Sequence, residues 1–184
     1  VEVRFAGEGD DLLRPLAAGA MIGLLERATG AVAANAVNAL HLAKQRGIQV
    51  DRTRLDGAGE YADLVELKVT AGGKTVRVAG ALLAEGHPRI VRIDDFEVGI
   101  IPRGLLLVLR NRDVPGVIGR VGTMLGVAGV NIAEYHQARL AAGGEALAAV
   151  SVDSKLPQSV LTDLRALPEV HSAVQVDLDG TAIV

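Results

Sequence analysis

The fold of the second half of the chain is decided by one stretch, LLLVLRNRDVPGVIGRVGTMLGVAGVNI, which runs from Leu105 to Ile132. Its first part is fully apolar and predicts a buried strand over 105–109, and the polar residues 111–116 predict a turn. Apolar residues then recur every three or four positions, which predicts an amphipathic helix over 117–128. Ile132 begins the next apolar run, so the stretch predicts a strand, a helix and a second strand.

The alternation between strand patterns and helix patterns continues towards the C-terminus. The predicted elements are strands over 132–140 and 145–152, a helix over 157–167 and a strand over 170–178. A glycine turn at 141–144 joins the first two, and Pro157 is tolerated in the first turn of the helix. In the last strand, alternation predicts that Val170, Val174, Val176 and Leu178 face inward. The second half therefore predicts the order βαββαβ of a ferredoxin-like domain.

The first half predicts a strand, two helices and a run of strands. The predicted elements are a strand over 1–6, helices over 12–27 and 31–46, and strands over 64–70, 75–83, 89–93 and 96–101. The first helix is apolar on nearly all sides, so we expect it to be buried. Gly19 and Gly23 share one of its faces and favour close packing against a second helix. With a break at 102–104, these patterns predict an α+β protein with domains at 1–102 and 103–184.

Composition excludes several functional classes. Hydrophobic residues make up 49% and charged residues 22% of the 184, which is typical of a folded protein. A net charge of −3 and only two Phe and two Tyr do not favour nucleic acid or an acidic membrane as partner. The longest uncharged apolar stretch, 16–25, is too short to span a bilayer. The absence of cysteine fits a cytoplasmic location, and the start at Val1 suggests a fragment.

No motif in the chain predicts catalysis. Residues 57–62, GAGEYA, match the pattern GxGxxA, but a polar segment precedes them and a strand follows, so a plain loop is expected. The four histidines lack metal-ligand spacing, and no serine lies in a nucleophile elbow. We therefore predict no catalytic residues, no metal site and no cofactor within this chain.

Arg89 and Arg92 form a candidate anion site near one strand. Because they lie three residues apart, a regular strand would point them to opposite faces. A solvated strand edge is therefore the alternative interpretation.

Asp113 has two interpretations that its spacing leaves open. It can be the N-cap of the following helix, since aspartate is a preferred capping residue. It can also belong to an amino-acid pocket, in which its carboxylate binds the ligand ammonium and the N–H groups of Val117 and Ile118 bind the ligand carboxylate. Asn131, at the start of the next strand, would add donors and acceptors.

Residues 105–119, together with 129–133, resemble the ACT domain, a small-molecule sensor on enzymes of amino-acid metabolism, and in particular the ACT domain of D-3-phosphoglycerate dehydrogenase. The first half resembles the intervening, allosteric-substrate-binding domain of the long form of that enzyme. The residues that carry this second resemblance are Val37-Asn38-Ala39, Ala43, Gly47-Ile48, Val78-Ala79-Gly80, Arg89 to Asp94 and Pro102-Arg103-Gly104-Leu105. Together the two resemblances cover essentially the whole chain, in the domain order of the family.

The resemblance implies a regulatory fragment of a larger enzyme. The parent enzyme uses NAD to oxidise 3-phosphoglycerate in the first step of L-serine synthesis, and its catalytic and NAD-binding domains would precede Val1. In that family L-serine binds between paired ACT domains and inhibits. A homo-oligomer with L-serine as effector is therefore expected.

The resemblance also assigns site residues. Asn111, Asp113 and Asn131 fall on the serine-contacting positions of the family, with Asn111 in place of a frequent ring side chain. Arg89 falls on a basic position of the family's anion site. The other two positions of that site are Ile101 and Ser151, and neither is cationic.

Two alternative functions remain open. The chain can be an assembly module with a degenerate pocket. It can also be the regulatory region of an iron–sulfur serine dehydratase, which predicts cluster-ligating cysteines that this chain does not contain.

Overall fold

The computed structural model describes residues 1–9, 11–29, 34–83 and 86–179. Its contacts divide the chain into unit 1 (Val1–Asp94) and unit 2 (Asp95–Val184). This division precedes the sixth strand, whereas the sequence places the boundary after residue 102. The domain limits 1–102 and 103–184 stay a prediction.

Unit 1 is a mixed sheet with two helices. Its elements are β1 (Glu2–Ala6), α1 (Leu13–Thr29), α2 (Ala39–Gln45), β2 (Asp51–Arg54), β3 (Asp63–Ala71), β4 (Lys74–Leu82) and β5 (Pro88–Ile93). The strands lie in the order β2-β1-β3-β4-β5, and β1 pairs parallel with β2 and antiparallel with β3. Sequence analysis missed β2, because its four residues are polar and exposed at the sheet edge and give no alternating pattern.

Helix α1 is buried on one side only. Ala17, Met21 and Leu25 are fully buried in unit 1, whereas Gly19 is exposed. A Cβ placed on Gly19 or Gly23 would meet no atom of the described residues within 4 Å. The expectation of burial on all sides is therefore wrong, and the described part of unit 1 makes no close approach at these glycines.

Helix α2 begins later than predicted. Of the predicted helix over 31–46, residues 31–33 lie outside the described residues, and the helix begins at Ala39. The Asn35 Oδ1 accepts the backbone N–H groups of Val37 and Asn38 at 3.0 Å, while Asn38 Oδ1 accepts that of Asn35 at 2.8 Å. This reciprocal pair holds the backbone in a turn just before the helix. At the other end, Gly47 follows the helix with φ 70°, as its predicted capping role requires.

Unit 2 confirms the predicted α+β fold and its βαββαβ order. After β6 (Phe96–Ile100) come β7 (Leu105–Arg112), α3 (Val117–Val127), β8 (Ile132–Arg139), β9 (Glu145–Val152), α4 (Gln158–Ala166) and β10 (Val170–Asp177). The last four strands form an antiparallel sheet in the order β10-β7-β9-β8. Buried side chains of α3 and α4, among them Val121, Leu125 and Leu164, pack against Leu107 and Val150 of that sheet.

The last strand differs from its predicted facing. A register shift between Val170 and Ser172 moves the alternation by one residue. Ala173 consequently enters the core at 1% exposure, and Val174 is 51% exposed. The prediction that Val174 faces inward is wrong for this reason.

Candidate functional site

Asp113 lies in the short connection between β7 and α3. The N-cap residue of α3 is Gly116, whose φ of 91° is in the left-handed region, and no side chain caps the helix. The capping interpretation of Asp113 is therefore wrong. Its carboxylate is directed towards β8 and the turn that follows β8.

The Asp113 carboxylate, 17% exposed, accepts three hydrogen bonds. Arg139 Nη1 donates to Oδ2 at 3.2 Å, and the backbone N–H of Gly143 donates to the same oxygen at 3.3 Å. Gln137 Nε2 donates to Oδ1 at 3.3 Å. The Arg139 side chain is 62% exposed, so the only charged partner of Asp113 in the described residues lies at the solvent side.

Asn111, on β7, is buried at 1% exposure. Its Nδ2 donates to the backbone carbonyl of Arg112 at 2.9 Å. Its Oδ1 is buried and has no hydrogen-bond partner among the described residues. A buried carbonyl without a donor is uncommon in folded proteins, so Asn111 presents an acceptor for which the described chain supplies no donor.

Two further buried oxygens lie on β8. Within the described ranges, neither Gln137 Oε1 nor the Tyr135 hydroxyl has a hydrogen-bond partner. Burial raises the pKa of Tyr135. A register shift between Ile132 and Glu134 places Tyr135 and Gln137 opposite Val150 and Ala148 of β9, on the face that α3 and α4 cover.

The two residues predicted at the start of α3 differ in burial. Val117 belongs to the core at 3% exposure, whereas Ile118 is 51% exposed. Their backbone N–H groups lie in the first helical turn, where an α-helix supplies no partner of its own. Val117 can serve a ligand through its backbone only, since its side chain is packed inside.

Asn131 lies at the opposite end of the sheet from Asn111 and Asp113. Asn111 pairs with Ala146 of β9, and Ile132 pairs with Val152 of the same strand. Six residue steps along a strand correspond to about 20 Å. The Asn131 Nδ2 donates to Asp153 Oδ2 at 2.7 Å. One chain therefore does not bring Asn131 together with Asp113.

Arg89 and Arg92 lie on the same face of β5, contrary to the prediction for a regular strand. They pair with Ala81 and Ala79 of β4, because β5 has a register shift between these two pairs. Arg92 Nη2 binds the buried Glu66 carboxylate at 2.6 Å, and Arg89 Nη1 donates to the Pro88 carbonyl at 3.1 Å. The anion site stays a prediction, with Arg92 already paired.

Ile101 and Ser151 line a cleft of about 280 Å³ in unit 2. Glu134, Asp153 and Asp179 also line it, against the single guanidinium of Arg103. The Asp179 Oδ1 accepts the backbone N–H of Gly104 at 2.8 Å. Excess negative charge makes this cleft a poor anion site.

The structure contains few other candidates for chemistry. In residues 1–9, 11–29, 34–83 and 86–179, no group of three His, Asp or Glu side chains is arranged to hold a metal ion. No helix in that part of the chain is long and apolar enough to cross a bilayer. The Asp113 neighbourhood is therefore the strongest candidate site in the described structure, and its chemistry is that of binding a cationic donor.

Sequence analysis missed three partners of Asp113, namely Gln137, Arg139 and the Gly143 N–H. They lie 24 to 30 residues further along the chain, so no local motif joins them to Asp113. The register shift in β8 also hid them, because simple alternation from Ile132 assigns Gln137 to the other face. A sequence feature that pointed to them was the glycine turn 141–144, because it reverses the chain so that β9 pairs with β7.

Comparison with known proteins places the chain among dehydrogenase sequences. Residues 1–94 match a protein-family model described as the D-3-phosphoglycerate dehydrogenase intervening domain. The match ends where unit 1 ends.

Three relatives illustrate the similarity, each of them named D-3-phosphoglycerate dehydrogenase. The relative from Synechocystis is 35% identical over 165 residues, covering 90% of this chain and 30% of the relative. That from Bacillus subtilis is 34% identical over 144 residues, covering 78% and 27%. The chloroplastic enzyme 3 of Arabidopsis thaliana is 30% identical over 183 residues, covering 92% and 31%. The chain spans less than a third of the length of these relatives.

Proposed function

The chain belongs to the family of the D-3-phosphoglycerate dehydrogenase intervening domain, and on that premise we propose that it is a regulatory region that binds L-serine. Under this proposal residues 103–184 form an ACT domain. The parent enzyme is a cytoplasmic NAD-dependent oxidoreductase of serine synthesis, and serine binding inhibits it. NAD is bound by other domains of that enzyme, and this chain contributes the effector site and contacts between subunits.

One observation carries the proposal, namely the partners of the Asp113 carboxylate. Asp113 falls on a position that contacts serine in the family, by the resemblance described above. Its carboxylate is 17% exposed, and neutral N–H groups of Gln137 and Gly143 hold it in place. Neutral donors fix a carboxylate without cancelling its charge. A ligand ammonium needs such a counter-charge, because burying a charge without a partner costs several kcal/mol.

Arg139 is the group that a ligand ammonium would replace. It pairs with Asp113 Oδ2 at 3.2 Å from a side chain that is 62% exposed. An exposed ion pair of this kind contributes about 1 kcal/mol or less, so its exchange for the ammonium costs little. The released guanidinium is then available to the ligand carboxylate.

The proposal requires two copies of the chain. Asp113 and Asn131 lie about 20 Å apart along the sheet of one chain, which is too far for one serine to touch both. A two-fold pair can bring Asp113 of one copy to Asn131 of the other, and would form two equivalent sites.

Titration of the chain with L-serine in a calorimeter tests the proposal. We expect Asp113→Ala to weaken binding by about ten- to a hundredfold, because a charge-assisted hydrogen bond is lost. Asp163→Ala, an exposed aspartate on α4, is the matched control and should bind as the parent does. Circular dichroism should show the same fold for all three proteins.

The alternatives give different results. If the parent chain binds no L-serine at millimolar concentration yet forms an oligomer, it is an assembly module with a degenerate pocket. If the parent binds serine and Asp113→Ala binds it equally well, the effector site lies elsewhere. The serine dehydratase alternative is not favoured, because all three relatives cited are dehydrogenases.

A further inference from the structure

We propose that Gln137 accepts a hydrogen bond from the side-chain hydroxyl of the bound amino acid. This bond makes the site select serine over alanine and glycine. This inference rests on the proposed function, in which Asp113 binds the ligand ammonium. It concerns a residue that lies outside the positions assigned from the family resemblance.

The orientation of the Gln137 amide is fixed by its neighbour. Its Nε2 donates to Asp113 Oδ1 at 3.3 Å, and a carboxylate can accept but not donate. The other end of the amide is therefore the carbonyl oxygen Oε1. This oxygen is buried and accepts no hydrogen bond from any described residue.

Asn111 repeats the same arrangement on β7. Its Nδ2 donates to the Arg112 carbonyl, which fixes Oδ1 as the free end of that amide. Asn111 Oδ1 is likewise buried and without a donor in the part of the chain that the structure describes. Asn111 and Gln137 therefore each present a buried amide oxygen for which the described chain supplies no donor.

Asn111 and Gln137 lie on the same face of the sheet, on either side of β9. Asn111 pairs with Ala146 and Gln137 with Ala148, and both alanines belong to the central strand β9. Side chains on adjacent strands of one face approach each other. On β9 the residues between Asn111 and Gln137 are these two alanines, so the two acceptors lie on one face of the sheet.

The donors of L-serine match this set. Its ammonium carries three donors and its hydroxyl a fourth, whereas alanine and glycine lack the hydroxyl. The ammonium nitrogen and the hydroxyl oxygen are separated by three covalent bonds, so a serine held at Asp113 brings its hydroxyl beside the adjoining Gln137 amide. A site with a buried acceptor disfavours a ligand that leaves this acceptor without a donor.

Titration of the full chain with L-serine, L-alanine and glycine tests the inference. The parent should bind serine about tenfold or more tightly than alanine. In Gln137→Met the affinity for serine should fall by about tenfold, and that for alanine should change by less than about threefold. Gln137→Asn withdraws the oxygen by one methylene, should give the same loss of selectivity, and serves if the methionine variant does not fold.

Gln175→Met is the matched control. Gln175 is also a glutamine of the unit 2 sheet with a buried amide atom that no described residue pairs, but it bonds the Leu156 N–H at 3.2 Å, away from Asp113. The control should keep the serine-to-alanine ratio of the parent.

Four outcomes overturn the inference. If serine and alanine weaken together in the Gln137 variants, Gln137 only positions Asp113. If the parent binds serine no better than alanine, or if the variants bind both ligands as the parent does, Gln137 does not bind the hydroxyl, and the proposed function still stands. If the parent binds no serine at all, the proposed function fails and the inference fails with it.

Discussion

A carboxylate that is to bind a cationic ligand must be fixed in place and still keep its charge, and Asp113 meets both conditions. The Gln137 amide and the Gly143 N–H hold one oxygen each without neutralising it. The charged partner, Arg139, is largely in solvent, where an ion pair is weak and is screened by salt. The neutral donors therefore position the carboxylate, and its charge stays available to a ligand ammonium.

The Tyr135 hydroxyl yields a prediction about stability. It is buried, and the described residues offer it no hydrogen-bond partner, so its desolvation is uncompensated. We expect Tyr135→Phe to leave the free energy of unfolding unchanged or to raise it by up to about 1 kcal/mol. Urea unfolding at neutral pH measures this, and a loss of more than about 1 kcal/mol would show that the hydroxyl has a partner.

The same tyrosine gives a pH dependence whose sign follows from its burial. Burial raises the pKa of Tyr135, so the folded protein disfavours the phenolate relative to the unfolded chain. The contribution is fully present below the unfolded pKa of about 10 and is lost as pH rises through the higher folded value. Tyr135→Phe should remove this alkaline loss of stability, whereas Tyr61→Phe, the control in unit 1, should leave it in place.

At the scale of single elements, register shifts decide which side chains reach the core and the site. Such shifts occur in β5, β8 and β10, and each moves the alternation by one residue. Arg89 and Arg92 thereby share a face, Gln137 turns towards Asp113, and Ala173 replaces Val174 in the core. Strict alternation along the sequence predicts that these strands exist. It assigns the wrong face, however, to the residues that follow each register shift. The order of elements and the position of Asp113 were predictable, because they depend on apolar runs and turns within short windows.

The turn before α2 gives a prediction at the same scale. Asn35 Oδ1 accepts two backbone N–H groups, so the N-terminus of α2 depends on this side chain. We expect Asn35→Ala to lower the free energy of unfolding by about 1 kcal/mol, since the side-chain acceptor of two backbone N–H groups in this turn is lost. Asn35→Asp retains the acceptor oxygen and is the matched control. Thermal unfolding of both variants measures the effect, and equal melting temperatures would contradict it.

At the scale of the whole molecule, each unit is explained by a different kind of evidence. Unit 1 coincides with the family match over residues 1–94, whereas its sheet edge β2 gives no sequence signal of its own. Unit 2 follows from its βαββαβ order, which its sheet confirms.

The antiparallel sheet of unit 2 has β10 and β8 at its edges, and an edge strand is a natural place for a second copy to pair. The register of that sheet separates Asp113 from Asn131, so the proposed site can be complete only in an assembly.

A mixing experiment can show whether the serine site is shared between two chains. Neither Asp113→Ala nor Asn131→Ala should bind L-serine well when purified alone, because each homodimer carries the same defect in both of its sites. In a mixed dimer, however, one site combines Asp113 and Asn131 from the two intact halves, and the other site carries both defects. After unfolding and refolding an equimolar mixture, about half of the dimers are mixed by random pairing, and each has one intact site. Calorimetry should then show parent-like serine affinity at about a quarter of the parent stoichiometry.

Mixing Asp113→Ala with Gln137→Met is the control, because both residues lie at the same end of one chain. Their mixed dimer has one defect in each site and should restore nothing. If the Asp113→Ala and Asn131→Ala mixture also restores no binding, while each variant alone has lost it, the site is not shared in this way.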